Sequence, residues 1–388
     1  MSEPDPKPEP LGEQRAAFHV PPEIAYFNTA SLAPQLRSVR AAGEAALERR
    51  GRAWEITPDD WFADSERLRS LFAQLIGAET DAIAIVPATS YGFAVAARNL
   101  PLEAGERILV LAEEYPSGVY SWRTAARRSG AEMLTVGREP GRTWTEAVLA
   151  ALDERVGIVS VPNVHWTDGA LVDLAPIAAR SRELGARLVI DASQSLGAMP
   201  LDLDEIRPDF LVSVGYKWLL GPLILSYLYV APEHRDGEPI EENWILREDS
   251  EDFAGLVDYR DEYQPGSRRY DVGQRSSFEL TPMAIAAVEK LAEWGIPAVA
   301  ATLAARTAEI ARRAGELGFE LPADADRGPH MLGLPLPEAA RAGILPALAE
   351  SNCFAAVRGR SLRIAPHLHT SDEDVERLIG ALASAIDS

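Results

Sequence analysis

Lys217 sits in the stretch 210-FLVSVGYKWLLGP-222, a run that otherwise reads as the end of a buried strand. The chain hardly uses lysine. Of 38 basic residues only Lys7, Lys217 and Lys290 are not arginine. Lys7 lies in a polar tail and Lys290 in an apparent amphipathic helix, where both would be solvated. Among apolar neighbours an amine loses charge, because desolvation disfavours the ammonium form. A neutral amine attacks aldehydes and forms Schiff bases. Asp191 ends a second apolar run, 187-RLVI, where a carboxylate is costly to bury without a cationic partner. A helix cap is the lesser alternative for Asp191. Gln194 follows it by three residues.

Three other segments carry polar or aromatic groups after an apolar run. In 87-PATSYG, Thr89 and Ser90 would open a helix, where free N–H groups and two hydroxyls make a phosphate cradle. Taken alone, plain N-capping is the reading they favour. In 113-EEYPSGVYSW, Tyr115 offers a flat ring for stacking on a planar ligand, or simply packing before a proline. In 161-VPNVHWTDG, Asn163, His165 and Trp166 lie together, and each also suits a structural role.

The elements that must position these residues follow from the apolar pattern. From about residue 80 to 230, short runs alternate with helix-like spacers. The runs are 82-AIAIV, 107-RILVL, 132-EMLTV, 157-GIVSV, 187-RLVI, 210-FLVSV and 224-ILSYLYV. This alternation predicts an α/β fold with a doubly wound, seven-stranded, mostly parallel sheet. Ligands bind beyond the carboxyl ends of such strands, which is where the groups above fall. After about residue 280 the pattern changes to helices over 282–294 and 297–317, then 331-MLGLPL, a helix near 337–350, 354-FAAVRG and 362-LRIAP. A last helix opens at 371-SDED, a capping signal. We expect an arm over 1–44 packing with the small domain, a large domain over 45–280 and a small α+β domain over 281–388.

Composition bounds the function. With 388 residues, 47% hydrophobic, the chain can bury a substantial core. No apolar run reaches the roughly 18 residues of a membrane span. The start, MSEPDPKPEP, reads as a short disordered tail without the features of a signal peptide. A cytoplasmic protein is expected. The net charge of −21 disfavours nucleic acid and anionic membrane as partners. A single cysteine, Cys353, excludes an intramolecular disulfide. His367 and His369 would share a strand face, but no third ligand is evident and no metal is expected.

Lys217, Asp191, Tyr115 and the Thr89–Ser90 turn together ask for one ligand. It is planar and phosphorylated, carries an aldehyde, and has a ring nitrogen that pairs with Asp191. Pyridoxal 5′-phosphate (PLP) meets each requirement, and an Asp partner keeps its ring an electron sink. At this point the chain resembles the class V aminotransferase family of PLP enzymes, which includes cysteine desulfurases, kynureninases and isopenicillin N epimerase-like proteins. The resemblance runs from 26-YFNTAS to 366-PHLHTSDEDV and is most specific in 190-IDASQSLGAMPLD and 213-SVGYKW. It implies a type I PLP-dependent transferase fold and a homodimer. It implies that Lys217 is the Schiff-base lysine, Asp191 the pyridine-nitrogen partner and Gln194 a neighbour of the ring hydroxyl. By the same resemblance Thr89, Ser90 and Tyr216 serve the phosphate, Tyr115 stacks on the ring, and Asn163 and Ser213 lie against the cofactor. Arg363, in 361-SLRIAPHLHT, would clamp the substrate α-carboxylate, with Asn28 beside it. The segment 268-RRYDVGQRSSF would reach a partner subunit's cofactor.

The implied activity acts on an amino acid, with Lys217 as general base once released. Transamination is the reading the family's breadth favours. A β-eliminating C–S lyase is the alternative, ahead of an epimerase, which needs a second acid such as Tyr115 or His165. A cysteine desulfurase needs a nucleophilic Cys on a mobile loop between 357-VR and Arg363. That interval is 357-VRGRSLR, and Cys353 precedes it. A nonenzymatic regulator with this fold lacks a DNA-binding appendage, and a nucleotide-binding protein lacks its Gly-rich turn.

Overall fold

The computed structural model describes residues 8–386. The first seven residues of the expected tail, Lys7 among them, lie outside the described residues. The apolar runs form a seven-stranded sheet. Its strands are β2 (Ile83–Val86), β3 (Arg107–Leu111), β4 (Glu132–Val136), β5 (Val156–Pro162), β6 (Arg187–Asp191), β7 (Phe210–Val214) and β8 (Ser226–Val230). Their order is β2-β8-β7-β6-β5-β3-β4. Only β8 runs antiparallel to its neighbours. β2 and β7 are buried throughout, as expected for strands covered on both faces. Strand β8 begins at Ser226 rather than at 224, because Ile224 takes a left-handed φ of 71° and is exposed.

Helices cover both faces. On one face lie α3 (Thr89–Asn99) and α4 (Pro116–Ser129), whose Phe93, Val95 and Trp122 pack on Val110, Val189 and Val212. Gly92 lets α3 press close to the sheet, since a Cβ there would come within 2.6 Å of Val212. The other face carries α2 (Asp60–Ile76), α5 (Trp144–Ala151), α6 (Leu174–Leu184), the short α7 (Leu203–Ile206) and α8 (Leu280–Trp294). Phe72 of α2 stacks on Tyr227 of β8 with ring centroids 3.9 Å apart. Local signals set the ends. Thr143 and Glu146 form a capping box on α5, and Gly130 closes α4 in the left-handed region.

The remaining elements build a smaller lobe around α9 (Ile296–Glu316) and α11 (Asp372–Ile386). Its three-stranded antiparallel sheet has the order β11 (Ala356–Arg358), β12 (Ser361–Ile364), β9 (Leu332–Pro335). Ser371 caps α11 as the sequence suggests: the Asp374 N–H donates to Ser371 Oγ at 3.2 Å, and the Ser371 N–H to Asp374 Oδ2 at 3.1 Å. The helix expected over 337–350 shortens to α10 (Ile344–Glu350), since Pro337 opens a separate 3-10 turn and Gly343 stands between the two. The run 354-FAAVRG divides between β10 (Cys353–Phe354) and β11. Strand β10 pairs with β1 (Ala25–Tyr26), which ties the N-terminal arm to this lobe. Helix α1 (Arg37–Arg50) then returns to α8, with Gly43 facing Met283. The expected boundary at 44/45 falls inside α1. Among the described residues no helix is long and apolar enough to cross a membrane.

The segment 268-RRYDVGQRSSF has a structural task within its own chain. Asp271 is fully buried and takes two hydrogen bonds from Arg69, at 3.0 and 2.6 Å. Arg275 pairs with the same carboxylate. Asp271 also accepts the Ile85 N–H at 2.7 Å, and the Val272 N–H donates to the Ile85 carbonyl at 3.0 Å. Together they satisfy the free side of the edge strand β2, which leads into Thr89 and Ser90. Removing the acid leaves two buried guanidiniums without their shared partner. We predict that Asp271→Ala costs about 3–5 kcal/mol in urea unfolding; a loss below about 1 kcal/mol would show that Glu66 alone can neutralise the cluster.

Candidate active site

The parallel strands β2, β3, β5, β6 and β7 all end on one rim. The residues just past them bring Thr89, Ser90, Tyr115, Asp191, Gln194, Tyr216 and Lys217 together around a single pocket. The antiparallel β8 starts at the same rim, so Ser226 joins it. Lys217 reaches the pocket because the chain turns tightly after β7. Gly197, at φ 95°, lies where a Cβ would come within 2.3 Å of the Trp218 carbonyl, so the loop after β6 packs directly on the Lys217 segment. The indole N–H of Trp218 donates to Gln194 Oε1 at 2.9 Å, and Gln194 Nε2 donates to the Ala30 carbonyl at 3.1 Å.

Lys217 is 8% exposed, and its amine makes no hydrogen bond or ion pair with any described residue. It lies 5.5 Å from the centroid of the Tyr115 ring. Burial pulls its pKa down to about 8, against the opposing pull of Asp191, and the Arg363 and Arg358 guanidiniums lower it further. Asp191 lines the pocket. Burial raises its pKa, and the Ser193 N–H donates to Oδ1 at 2.9 Å in partial compensation. Tyr115 precedes Pro116 at the start of α4 and stands edge-on to Trp166, with centroids 5.5 Å apart at 85°. Helix α3 begins at this rim with Ala88 as its N-cap, and no side chain caps it. The Thr89 and Ser90 N–H groups are therefore left for a ligand.

Several expected residues lie elsewhere. His165 is buried below the rim, its ring stacked on Trp144, with Nδ1 2.8 Å from Thr167 Oγ1 and Nε2 3.2 Å from the Ala112 carbonyl. Both ring nitrogens are engaged, so His165 does not present a proton to the pocket. Asn163 donates to the Val172 carbonyl at 3.1 Å and does not line the pocket, although its Oδ1 is buried without a partner. Ser213 is buried at the end of β7, its hydroxyl 3.4 Å from the Val214 carbonyl. Asn28 bridges to Ala365, and its Oδ1 too is buried and unpartnered. Arg363 is 1% exposed; Nη1 donates to the Trp166 carbonyl at 2.7 Å and Nη2 to Ser31 Oγ at 2.6 Å. His369 donates from Nε2 to the Tyr26 carbonyl at 2.9 Å and stacks parallel to His367 with centroids 6.4 Å apart. That pair belongs to an apolar core with Phe18 and Trp218.

Two groups went unassigned in the sequence. Glu114 lines the pocket beside Tyr115, and burial pushes its carboxyl up to about 7. One oxygen accepts the Tyr115 N–H at 2.6 Å and the other is buried without a partner. Its place directly before Tyr115 was the available signal. Ser193 fastens the two central loops, its Oγ accepting the Val214 N–H at 3.3 Å. A hydroxyl in 190-IDASQS carries no signal distinct from its neighbours.

With this geometry in place, comparison with known proteins assigns the family. Residues 59–241 match the family model "Aminotransferase class-V". The chain is 30% identical over 286 residues to a kynureninase from Deinococcus radiodurans, covering 71% of this chain and 67% of that one. The chain belongs to the class V aminotransferase family. It is also 28% identical over 323 residues to the uncharacterized aminotransferase YcbU of Bacillus subtilis, covering 82% of this chain and 83% of its relative. The fold matches the apo structure of a cysteine desulfurase from Thermococcus onnurineus NA1 with a TM-score of 0.85 at 17% identity, over 98% of this chain and 99% of that one. This class V member therefore has the type I PLP fold and is a PLP-family enzyme.

The pocket fits that cofactor in its donor set. A free amine, a buried carboxylate without a cation, an uncapped helix start and a partly exposed aromatic ring are the four groups PLP needs. We predict that, in the cofactor-free protein, borohydride trapping of a small aldehyde on Lys217 rises with pH and is half-maximal near 8. Below that pH the amine is protonated and unreactive. Asp191→Asn should move the midpoint lower, because the carboxylate that favours the ammonium form is lost. Peptide mass spectrometry checks both, and a midpoint near the ordinary lysine value of about 10.4 overturns the reading.

Proposed function

We propose that the chain is a PLP-dependent aminotransferase acting on an amino acid. The observation that carries this reading is the unpartnered, desolvated Lys217 amine facing Asp191 across one pocket. PLP would be held by Lys217 at its aldehyde carbon, by Asp191 at its ring nitrogen and by the Thr89–Ser90 turn and Tyr216 at its phosphate. Gln194, Asn163 and Ser213 belong to the supporting wall. When bound, PLP supplies an electron sink that makes the substrate Cα–H acidic. Asp191 holds positive charge at the ring nitrogen. Lys217, once displaced by the substrate amine, is the base that moves the Cα proton, and a pKa near 8 suits it to both halves of that transfer. Tyr115, which lines the same pocket, would offer its ring for stacking. Arg363, with Asn28 beside it, receives the α-carboxylate.

Other family chemistries find less support. Cys353 is buried in β10, burial pushes its thiol up to about 11, and β11 and β12 join through a tight turn rather than a mobile loop. That leaves no thiolate for sulfur transfer. With both His165 nitrogens engaged, His165 does not supply the second acid that epimerisation needs. A homodimer and the division into an arm (1–44), large domain (45–280) and small domain (281–388) belong to the same proposal. The pairing of β1 with β10 favours that place for the arm.

The test is visible absorbance of the PLP-loaded protein with single amino acids. Conversion to the pyridoxamine form is expected and names the donor. Persistence of the band while a keto acid and ammonia accumulate would mean β-elimination instead. Lys217→Ala should lose at least about a thousandfold in turnover and the borohydride-trappable linkage, while melting like the parent. Full activity in that variant would end the assignment. Cys353→Ala should keep activity within about twofold, as a small apolar core residue predicts. Loss of sulfur release from cysteine in it would restore the desulfurase reading.

A further inference from the structure

Beside the pocket lies a concentration of positive charge that the scheme above does not use. In the β11–β12 hairpin, Arg358 pairs with Ser361 and Ala356 with Arg363. Residues two apart share a strand face, so this register places Arg358 and Arg363 on the same face. The opposite face, with Val357 and Leu362, packs into the core of the small lobe. The two guanidiniums therefore project together, and both act on the Lys217 amine.

Neither arginine has an acid. Among the described residues Arg358 and Arg363 form no ion pair. Their partners are neutral oxygens. Ser31 Oγ takes a hydrogen bond from each, 2.6 Å from Arg363 and 3.2 Å from Arg358. The rest are the Trp166 carbonyl for Arg363 and the Val357 carbonyl for Arg358. Arg363 Nε is buried with no partner at all. Glu113 faces the turn, 3.6 Å from where a Cβ on Gly359 would stand, yet it is exposed and bridges neither guanidinium. Like charges are held side by side in a partly desolvated place, in a chain with net charge −21. Such an arrangement is stabilised by bound anions.

One carboxylate neutralises one guanidinium, and the α-carboxylate is taken by Arg363. We infer that Arg358 receives a second carboxylate, so that the substrate is a dicarboxylic amino acid or its keto acid. This rests on the functional reading above for the role of Arg363, but its test does not need the cofactor. Ser31 holds both forks in register from the arm, and the two-residue turn at Gly359 and Arg360 keeps their spacing fixed.

The experiment is calorimetric titration of the protein, with and without PLP, using succinate, glutarate and butyrate as unreactive probes. A dicarboxylate is expected to bind at least about tenfold more tightly than butyrate. Arg358→Gln should remove that advantage while leaving butyrate unchanged. Arg358→Lys, which keeps the charge but loses the fork, should retain part of it and guards against a folding defect. Equal weakening of both ligand types would overturn the inference, since both arginines would then grip one carboxylate. Equal affinity of the parent for all three probes would overturn it as well. In the loaded enzyme, aspartate or glutamate should then discharge the absorbance band faster than alanine, asparagine or glutamine. Discharge by amino acids without an acidic preference would sink the dicarboxylate while leaving the aminotransferase standing. A protein that binds dicarboxylates but never takes up PLP would do the reverse.

Discussion

The structure turns on charge held out of water without its complement. Lys217, Asp191, Arg363 and Arg358 sit in or beside one pocket, and none has an opposite charge in direct contact. A fold dominated by apolar burial does not place four such groups together for its own stability. Burial holds the Lys217 amine at a pKa of about 8, well below the ordinary lysine value. The cost is borne by the surrounding scaffold, which has to be rigid enough that the groups cannot relax toward water.

That rigidity comes from elements that close on themselves. The edge strand β2 has its free side satisfied by Asp271 and Val272, so the turn into Thr89 cannot fray. Ser193 fastens the loop after β6 to β7. Trp218 and Gln194 link the Lys217 segment to the N-terminal arm through Ala30. The arm is itself a strand partner of β10. The pairing of β1 with β10 and the Trp218–Gln194–Ala30 hydrogen bonds thus link the small lobe to the Lys217 segment through the arm.

Much of this was legible in sequence because strand ends are written in composition. Seven apolar runs bounded by polar turns specify a parallel sheet, and the residues just past the parallel runs must lie on one rim. Lys217, Asp191, Tyr115, Thr89 and Ser90 could be grouped on that basis alone. Three candidates that do not line the pocket share a different property. His165, Asn163 and Ser213 follow or end strands too, but which way a side chain turns after a strand depends on local hydrogen bonds, here to Ala112, Val172 and Val214. Sequence position gives proximity without direction. Glu114 and Arg358 escaped notice for the opposite reason. In a chain with 59 acidic residues and arginine as its default base, one more Glu or Arg carries no signal. Only burial sets them apart, and burial is a property of the fold.

The β11–β12 hairpin shows how one local choice selects among the chemistries open to such a scaffold. A long loop there would separate Arg358 from Arg363 and leave room for a mobile nucleophile. A two-residue turn removes that room and locks the two side chains into cross-strand neighbours. Lost reach and gained charge density are thus the same structural event. Cys353, only five residues before Arg358, is drawn into the pairing with β1 and buried in the core of the small lobe. The proposed preference for a doubly charged substrate and the lack of support for a sulfur nucleophile then rest on a single constraint, the length of the turn.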